Sequence, residues 1–471
     1  MRLFNKVLSV LFTTTLICGV AAGCGQRTQP QMGDEFEVNI NLDPQISATL
    51  TVSCDASNDE QNIIRELAKG FNKYYPNIDV KVDPMSGELV STLMGYAGAG
   101  TMPDIFQTSS FTMLDLQETG IILSLEPYLK AEAQADEVTF TPDDFYQNFW
   151  ILGQKNFNGS QLMIPRAADQ VVCHYNAKII RAASEYCKVD LEGTYIKNGW
   201  TWDDFLKVCE YVRDYYDNNG KQNNYLLDGF LDWEAVYNPI LESFGVEYFD
   251  ENKNCTLDCE GTRKALDLVK NLIDKRYHGA FSGSQANFAG GQGAFMFHSQ
   301  DATTQIKNLA IANRMPYEDM DESYYNVVTF PIIDEKNPKI GCGVSGYSIS
   351  SDSKNRDIAW AFLKFMTTKE GQNCIADAGK NYPPIRKDMK DAKNPENHWG
   401  KGLECYNMEA FVWGGDHNAI TPTSFVTVRP ARSSDMTETI AVMIGNYVDI
   451  GYTKDKAIGK AVASLEYWLE Y

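Results

Sequence analysis

Apolar and polar residues alternate over residues 48–54, which is the pattern of a half-buried β-strand. Apolar residues then recur at helical spacing over residues 63–71, and Tyr-Pro-Asn at 75–77 ends that predicted helix. Strand and helix patterns continue to alternate over residues 78–82, 89–96 and 103–106. This order of strand, helix, strand, helix and strand predicts an α/β lobe built on a doubly wound sheet.

A different pattern occupies residues 1–23. Arg2 and Lys6 are followed by a short apolar run, and small residues then lead to Cys24. That order is typical of a secretory signal peptide, and a cysteine directly after small residues resembles a bacterial lipobox. We therefore expect a signal peptide over residues 1–23, and a lipidated Cys24 followed by a flexible tether over residues 24–47. An ordinary signal peptide with a chance cysteine is the alternative.

Further motifs follow in order along the chain. They are Phe-Asn-Lys-Tyr-Tyr-Pro-Asn at 71–77, Gly-Thr-Met-Pro-Asp-Ile-Phe at 100–106, Asn-Gly-Ser-Gln-Leu-Met-Ile-Pro at 158–165, Gly-Trp-Thr-Trp-Asp-Asp-Phe at 199–205, Phe-Ala-Gly-Gly-Gln-Gly-Ala-Phe-Met at 288–296 and Pro-Pro-Ile-Arg at 383–386. In this order and spacing the chain resembles the sugar-type family of bacterial extracellular solute-binding proteins, which includes maltose-binding protein. The resemblance covers roughly residues 48–390.

The resemblance implies an α/β, two-lobed periplasmic-binding-protein-like fold of type II, with lobes joined by a multi-segment hinge and a ligand cleft between them. Its order of segments assigns residues 48–166 and 297–344 to the first lobe, and residues 167–296 and 345–471 to the second. We expect two or three crossings between the lobes, near residues 165–171, near Met296, and near residues 343–348.

The resemblance also implies a function. A receptor of this family binds a solute outside the cytoplasm and delivers it to the permease of an ABC importer. For this chain the expected ligand is a carbohydrate, either a monosaccharide or an oligosaccharide, and the expected state is a lipid-anchored monomer on the outer face of a cell membrane. The alternatives are a receptor for a polyamine, peptide or phosphodiester, and a surface glycan hydrolase.

A sugar site needs flat apolar faces for the C–H surface of the rings and planar polar groups for the hydroxyls. By order along the chain, Trp233 and Trp413 match family regions that reach the cleft, and either tryptophan could instead be core. Polar or aromatic candidates lie at the predicted strand ends and crossings: Asp55, Ser57, Ser109, Ser110, Arg166, Asp169, His298, Asp301 and Tyr347. For Arg166 and Asp169 a structural salt bridge at the hinge is the alternative, and Asp55 and Ser57 could be helix caps.

Several motifs that suggest other chemistry are incomplete. The glycine-rich segment at 341–346 matches a dinucleotide pattern, but a strand pattern follows where a helix is needed. Ser-Asp-Ser-Lys at 351–354 lacks the partner motifs of penicillin-binding enzymes. The polar segment after Asp250 lacks the glycine and glutamate of a calcium loop, which leaves a polar turn or a weak cation site. We expect no enzymatic activity, no cofactor and no catalytic metal.

Composition narrows the partners. The formal net charge is −21, which disfavours nucleic acid and anionic membrane surfaces as partners. Aromatic residues make up 12% of the chain, more than a core alone requires, and this suits a site that stacks on sugar rings. Eleven cysteines occur without the spacing of a metal motif, and most lie inside apolar patterns typical of buried thiols.

Overall fold

The computed structural model describes residues 36–283, 286–303, 324–403, 406–421 and 428–470. The predicted signal peptide over residues 1–23 and the predicted lipidation site at Cys24 lie outside the described residues. No helix in the described part of the chain is long and apolar enough to cross a membrane.

Nine strands and sixteen α-helices make up the regular structure of the described residues. The strands are β1 Ala48–Asp55, β2 Ile78–Met85, β3 Ile105–Ser109, β4 Ile164–Pro165, β5 Val172–Asn176, β6 Leu227–Gly229, β7 Phe295–His298, β8 Tyr325–Thr329 and β9 Ser345–Ile349. The helices are α1 Asn58–Phe71, α2 Leu89–Ala99, α3 Ser110–Leu116, α4 Glu126–Ala133, α5 Gln147–Trp150, α6 Ala177–Cys187, α7 Leu191–Thr194, α8 Trp202–Asn218, α9 Glu234–Ser243, α10 Glu260–Asp274, α11 Ala286–Ala289, α12 Arg356–Met366, α13 Lys369–Ile375, α14 Trp413–Asp416, α15 Ser433–Val448 and α16 Lys454–Glu470.

The first sheet has the strand order β2-β1-β3-β9-β4. β1 runs parallel to β2 and β3, and β9 runs antiparallel to β3 and β4. The strand–helix alternation over residues 48–106 predicts the parallel strands β1, β2 and β3, and the structure confirms that prediction. The side chain of Ser57 caps α1 by accepting from the backbone N–H of Glu60, so the helix begins directly after β1.

The second sheet has the strand order β6-β7-β5-β8. β5 lies between β7 and β8 and is antiparallel to both, while β6 is parallel to β7. α8 begins with a capping box in which the side chains of Thr201 and Asp204 each accept from the other residue's backbone N–H. Phe205 of α8 packs in edge contact on Phe295 of β7, and this aromatic contact joins the helix to the sheet.

Strand pairing corrects the predicted lobe boundaries. β8 pairs with β5 in the second sheet, although residues 297–344 were expected in the first lobe. β9 pairs with β3 and β4 in the first sheet, although residues 345–471 were expected in the second lobe. Met296 lies inside β7 rather than at a crossing. The described chain therefore passes between the sheets from β4 to β5, as predicted near Pro165, and again between β8 and β9.

The predicted tether is also shorter than expected. Every second residue from Phe36 to Leu42 is apolar, and these side chains pack, half-buried, against the hydrophobic core. The ring of Phe36 meets the edge of Tyr128 at a centroid distance of 5.9 Å, and the backbone N–H of Asn39 donates to Asp357 at 3.3 Å. The alternation over residues 36–42 is the signal that indicates this packing.

A glycine at the centre of the first sheet gives a test of its strand order. Gly346 of β9 pairs with Thr108 on one side and Pro165 on the other, and a Cβ atom there would collide with the carbonyl group of Ile164. We expect Gly346→Ala to lower the free energy of unfolding by about 1–3 kcal/mol, because a methyl group has no room there. Urea denaturation measures this.

The matched control is Gly95→Ala, inside α2, where a Cβ atom would meet nothing within 4 Å. This change should leave stability unchanged or raise it by up to about 1 kcal/mol, since alanine is the better helix former. Equal stability of Gly346→Ala and the wild type would contradict the place of β9 between β3 and β4.

Candidate ligand-binding cleft

A cleft lies where the two sheets meet. It consists of two cavities of about 560 and 470 Å³, and both are lined by Arg166, Asp301, Ser345 and Tyr382. Because four residues line both cavities, we treat them as one cleft with two halves. Clefts of this volume are typical of small-molecule sites.

The first half is lined by residues at the carboxyl ends of β1 and β3. Asp55 ends β1, Ser57 caps α1, and Ser109 ends β3 and caps α3, and all three line this half. The carboxylate of Asp55 accepts from the backbone N–H of Ser57 at 2.8 Å, which fixes its direction. The ends of parallel strands are where open α/β sheets collect ligands, and the sequence predicted Asp55 and Ser57 on that ground. Ser109 was predicted from the family resemblance, as part of the rim of the first lobe.

The second half carries aromatic rings. Trp233 immediately precedes α9, and its ring centroid lies 5.6 Å from that of His298. Phe230 lines the same cavity and is 37% exposed, which is high for a phenylalanine. A Cβ atom at Gly343 would lie 3.3 Å from the Trp233 ring, so the second crossing needs a small residue for this close approach.

Arg166 occupies the floor that the two halves share. Its side chain is 5% exposed and forms an ion pair with Glu60 of α1. Its guanidinium carbon lies 4.7 Å from the ring centroid of Tyr382, a cation–π contact. Burial opposes its charge, but the neighbouring Glu60 carboxylate holds the pKa of Arg166 above its ordinary value. Its position is therefore compatible with both roles considered for Arg166, a structural salt bridge and ligand binding, because it forms an ion pair and also lines the cleft.

Asp169 and Asp301 line the same cavity as Arg166. Burial, together with the negative charge of Asp301, raises the pKa of Asp169 to about 7, against the opposing effect of Arg166. The hydroxyl group of Tyr382 donates to Asp301 at 3.4 Å. The cleft thus contains a carboxyl group that changes protonation near neutral pH.

His298 lines the second half as a neutral ring. Burial lowers its pKa, although Asp301 acts in the opposite direction. At pH 7 its imidazole therefore offers one N–H donor and one acceptor nitrogen. His298 was predicted just after a return of the chain to the first lobe, but it is the last residue of β7, which belongs to the second sheet.

Three predicted site residues do not line the cleft. Ser110 is the first residue of α3, and its backbone N–H donates to the carbonyl of Val344 at 2.9 Å. Tyr347 is 1% exposed in β9, because it points into the core next to Arg166. Trp413 stacks on His417 at a centroid distance of 3.9 Å and packs against Gly199 of the second lobe, away from both cavities. Sequence order alone placed these residues at the cleft.

Several lining residues escaped sequence reasoning. Asp232 and Glu234 flank Trp233 and line the same cavity, and their place next to a predicted site residue was an available signal. Tyr382, which lines both halves, directly precedes the Pro-Pro pair of a recognised motif. Glu60 lies in the first turn of α1 and gives no signal in sequence, since its partner Arg166 is more than a hundred residues away.

The motifs that resemble a calcium loop and a dinucleotide-binding segment form ordinary local structure. The carboxylate of Asp250 accepts from the backbone N–H groups of Asn252 and Asn254 and from the Asn254 side chain, each at 2.8 Å, which is a closed turn. The glycine-rich segment at 341–346 leads into strand β9, as its following residues predicted. Within the described ranges, no group of three or more His, Cys, Asp or Glu side chains is arranged to hold a metal ion. All eight described cysteines are free thiols.

The Asp169 carboxyl group gives a pH-dependent prediction. An unfolded aspartate has a pKa near 3.9, and the folded value is about 7. Between these values the folded protein binds more protons than the unfolded chain, so this group lowers stability as pH rises. We expect the difference in unfolding free energy between Asp169→Asn and the wild type to move in favour of the variant from pH 5 to pH 8, by at least about 1 kcal/mol.

Asp250→Asn is the control, because the pKa of Asp250 is shifted in the opposite direction to that of Asp169. Hydrogen bonds from the side chain and backbone of Asn254 lower the pKa of Asp250, so removing this carboxylate should cost stability above pH 4 rather than below it. Denaturant unfolding at several pH values measures both variants. A parallel pH profile for Asp169→Asn and the wild type would contradict the raised pKa.

Comparisons with known proteins agree with this geometry. Residues 55–373 match the family described as bacterial extracellular solute-binding protein. A maltotriose-binding protein of Pyrococcus abyssi is 23% identical over 386 residues, which are 77% of this chain and 74% of that protein. An erythritol/L-threitol-binding protein of Mycolicibacterium smegmatis is 20% identical over 391 residues, 79% of this chain and 77% of that protein.

A solved structure shares the fold. The GacH receptor of Streptomyces glaucescens, determined unliganded and in complex with acarbose, aligns with a TM-score of 0.67 at 19% identity over 90% of this chain and 99% of that chain. The two-sheet α/β architecture with a cleft at the crossings is the arrangement that the sequence resemblance implied. With more than half of its length matched by the family, this chain belongs to the bacterial extracellular solute-binding proteins.

Proposed function

We propose that this protein is an extracytoplasmic carbohydrate receptor that delivers its ligand to the permease of an ABC importer. The observation that carries the proposal is that one cleft combines aromatic rings, the exposed Phe230 and the half-buried Trp233, with hydroxyl and carboxylate groups at strand ends. The curated relatives are named for maltotriose and for erythritol and threitol, all of which are rich in hydroxyl groups.

The two halves of the cleft together supply both parts of sugar recognition. Trp233 and Phe230 offer apolar faces on which the C–H surface of a sugar ring can stack. Ser109, Asp55, Asp169 and Asp301 offer hydroxyl and carboxylate oxygens for ring hydroxyls. Arg166 already forms an ion pair with Glu60, so it contributes its remaining N–H groups rather than a free charge.

Binding between the lobes would couple recognition to motion. The chain passes between the sheets at two described places, from β4 to β5 and from β8 to β9, and these segments are the hinge candidates. Hinge closure around a ligand is a known mode of such receptors. A sugar touching both Ser109 and Trp233 would favour the closed arrangement, because only contacts that differ between open and closed states shift that equilibrium.

Membrane attachment through a lipidated Cys24 is part of the same proposal. The described residues 36–46 lie against the first lobe, so a lipid at Cys24 would be joined to the folded part by a short connecting segment. We also propose that each lobe is built on one of the two sheets. This division replaces the lobe boundaries that were expected from the sequence.

The cleft aromatics give the test of this function. A thermal-shift screen of the soluble chain from Gln26 onward with mono- and oligosaccharides should find ligands, since a hundredfold excess over Kd adds about 2.7 kcal/mol of stability. Trp233→Ala should weaken binding of those ligands by at least about tenfold, because it removes the stacking surface. Titration calorimetry measures the change in Kd.

Trp413→Ala is the matched control. It removes a tryptophan side chain outside the cleft, so it should lower the melting temperature of the free protein. The Kd for the ligand should stay within about threefold of the wild-type value. If Trp413→Ala abolished binding and Trp233→Ala did not, the stacking role of Trp233 would be refuted. If no sugar shifted the melting temperature, the carbohydrate proposal itself would fail.

A further inference from the structure

Carboxylates outnumber basic side chains in the cleft. Seven acidic residues line its two halves: Asp55, Asp59, Glu60, Asp169, Asp232, Glu234 and Asp301. Among the described residues that line it, Arg166 is the only arginine or lysine. Because Glu60 pairs with Arg166, the charge at this point is balanced and the remaining carboxylates set the sign of the cleft.

Acidic residues also line the half of the cleft that contains the aromatic rings. The half that contains Phe230 and Trp233 is also lined by Asp232 and Glu234, the sequence neighbours of the tryptophan, and by Asp169. Aromatic faces attract a cation through the quadrupole of the ring, and carboxylates attract it through charge. Both kinds of group therefore favour the same ligand feature, a positive charge.

Burial destabilises the charged form of two of these carboxylates, Glu234 and Asp169. Burial raises the pKa of Glu234, and burial next to Asp301 raises the pKa of Asp169 to about 7. Each raised pKa means that the anion is less stable there than in water. A cation bound between them would relieve that cost, whereas a neutral hydroxyl donor would relieve it less.

A neutral ligand does not require this arrangement. Neutral amide oxygens can also accept hydrogen bonds from hydroxyl groups, and they do not repel each other. Four carboxylates in one half of the cleft instead raise the local negative potential, which concentrates cations and speeds their association.

We propose that the ligand of this receptor is an amino-substituted carbohydrate, whose protonated amine lies among Asp169, Asp232 and Glu234 while a ring stacks on Trp233. This inference rests on the proposed function and makes its ligand class specific. A neutral sugar would use the same rings and hydroxyl-binding groups but would leave the charge of the cleft uncompensated.

The test compares sugars that differ only at one substituent. Gluco-, manno- and galacto-configured mono- to trisaccharides are offered in three forms, unsubstituted, aminated at one carbon, and N-acetylated at the same carbon. Calorimetry at pH 7 should give at least tenfold tighter binding for an aminated form than for its two counterparts. That advantage should shrink severalfold between 20 and 300 mM salt, because screening weakens charge attraction.

Charge variants connect the preference to the cleft. Glu234→Gln should reduce the ratio of aminated to unsubstituted affinity by about tenfold, while Glu251→Gln, an exposed glutamate in a turn outside the cleft, should leave the ratio unchanged. Thermal melts of the unliganded variants show whether each one is folded. Asp232→Asn is the second charge variant if Glu234→Gln does not fold.

The possible outcomes separate the two proposals. If neutral or N-acetylated sugars bind as tightly as aminated ones, the amine inference is overturned and the carbohydrate receptor stands. If no form of any sugar binds, the proposed function fails and the inference fails with it. If simple polyamines bind and sugars do not, the cleft recognises the cation alone, and both proposals are wrong.

Discussion

A buried arginine at the first crossing between the sheets holds the cleft together. Arg166 follows β4 directly, forms an ion pair with Glu60 of α1, and lies over the ring of Tyr382. Removing one partner of a buried pair leaves an uncompensated charge, which typically costs about 3–5 kcal/mol. Because Arg166 lines both cavities, the shape of each half depends on this one interaction.

The fold explains why polar groups collect around this arginine. The carboxyl ends of β1 and β3 open toward the cleft, so the residues just after them must be polar or cap a helix. Asp55, Ser57 and Ser109 meet both requirements. On the other side, β7 ends at His298, and the following residues carry Asp301 to the shared floor. Two sheets thus deliver their polar ends to one space, while their apolar residues stay in the core.

Local patterns predicted the local structure well. Alternation predicted β1 and β2, and helical spacing predicted α1. Sheet membership was beyond these signals, because the alternation of β9 indicates a strand but not its partner. The pairing of β9 with β3 joins residues more than two hundred positions apart.

The sequence likewise predicted those site residues that depend on local topology, but not those that depend on tertiary contacts. Asp55 and Ser57, at the end of the first strand, follow from the topology of an α/β lobe, and both line the cleft. Trp413 was placed by order along the chain alone, and in the structure it stacks on its neighbour His417 instead. Tyr382 and Glu60 were missed because their roles arise from a tertiary contact with Arg166.

The most direct test of the central claim is a crystal structure of the protein with the sugar that raises its melting temperature most. The account predicts that the sugar lies between the two sheets, with a ring within about 4 Å of the Trp233 indole and polar contacts to residues of both halves, including Arg166 or Asp301. A sugar bound outside this cleft, with the space between Trp233 and Ser109 empty at saturation, would contradict it.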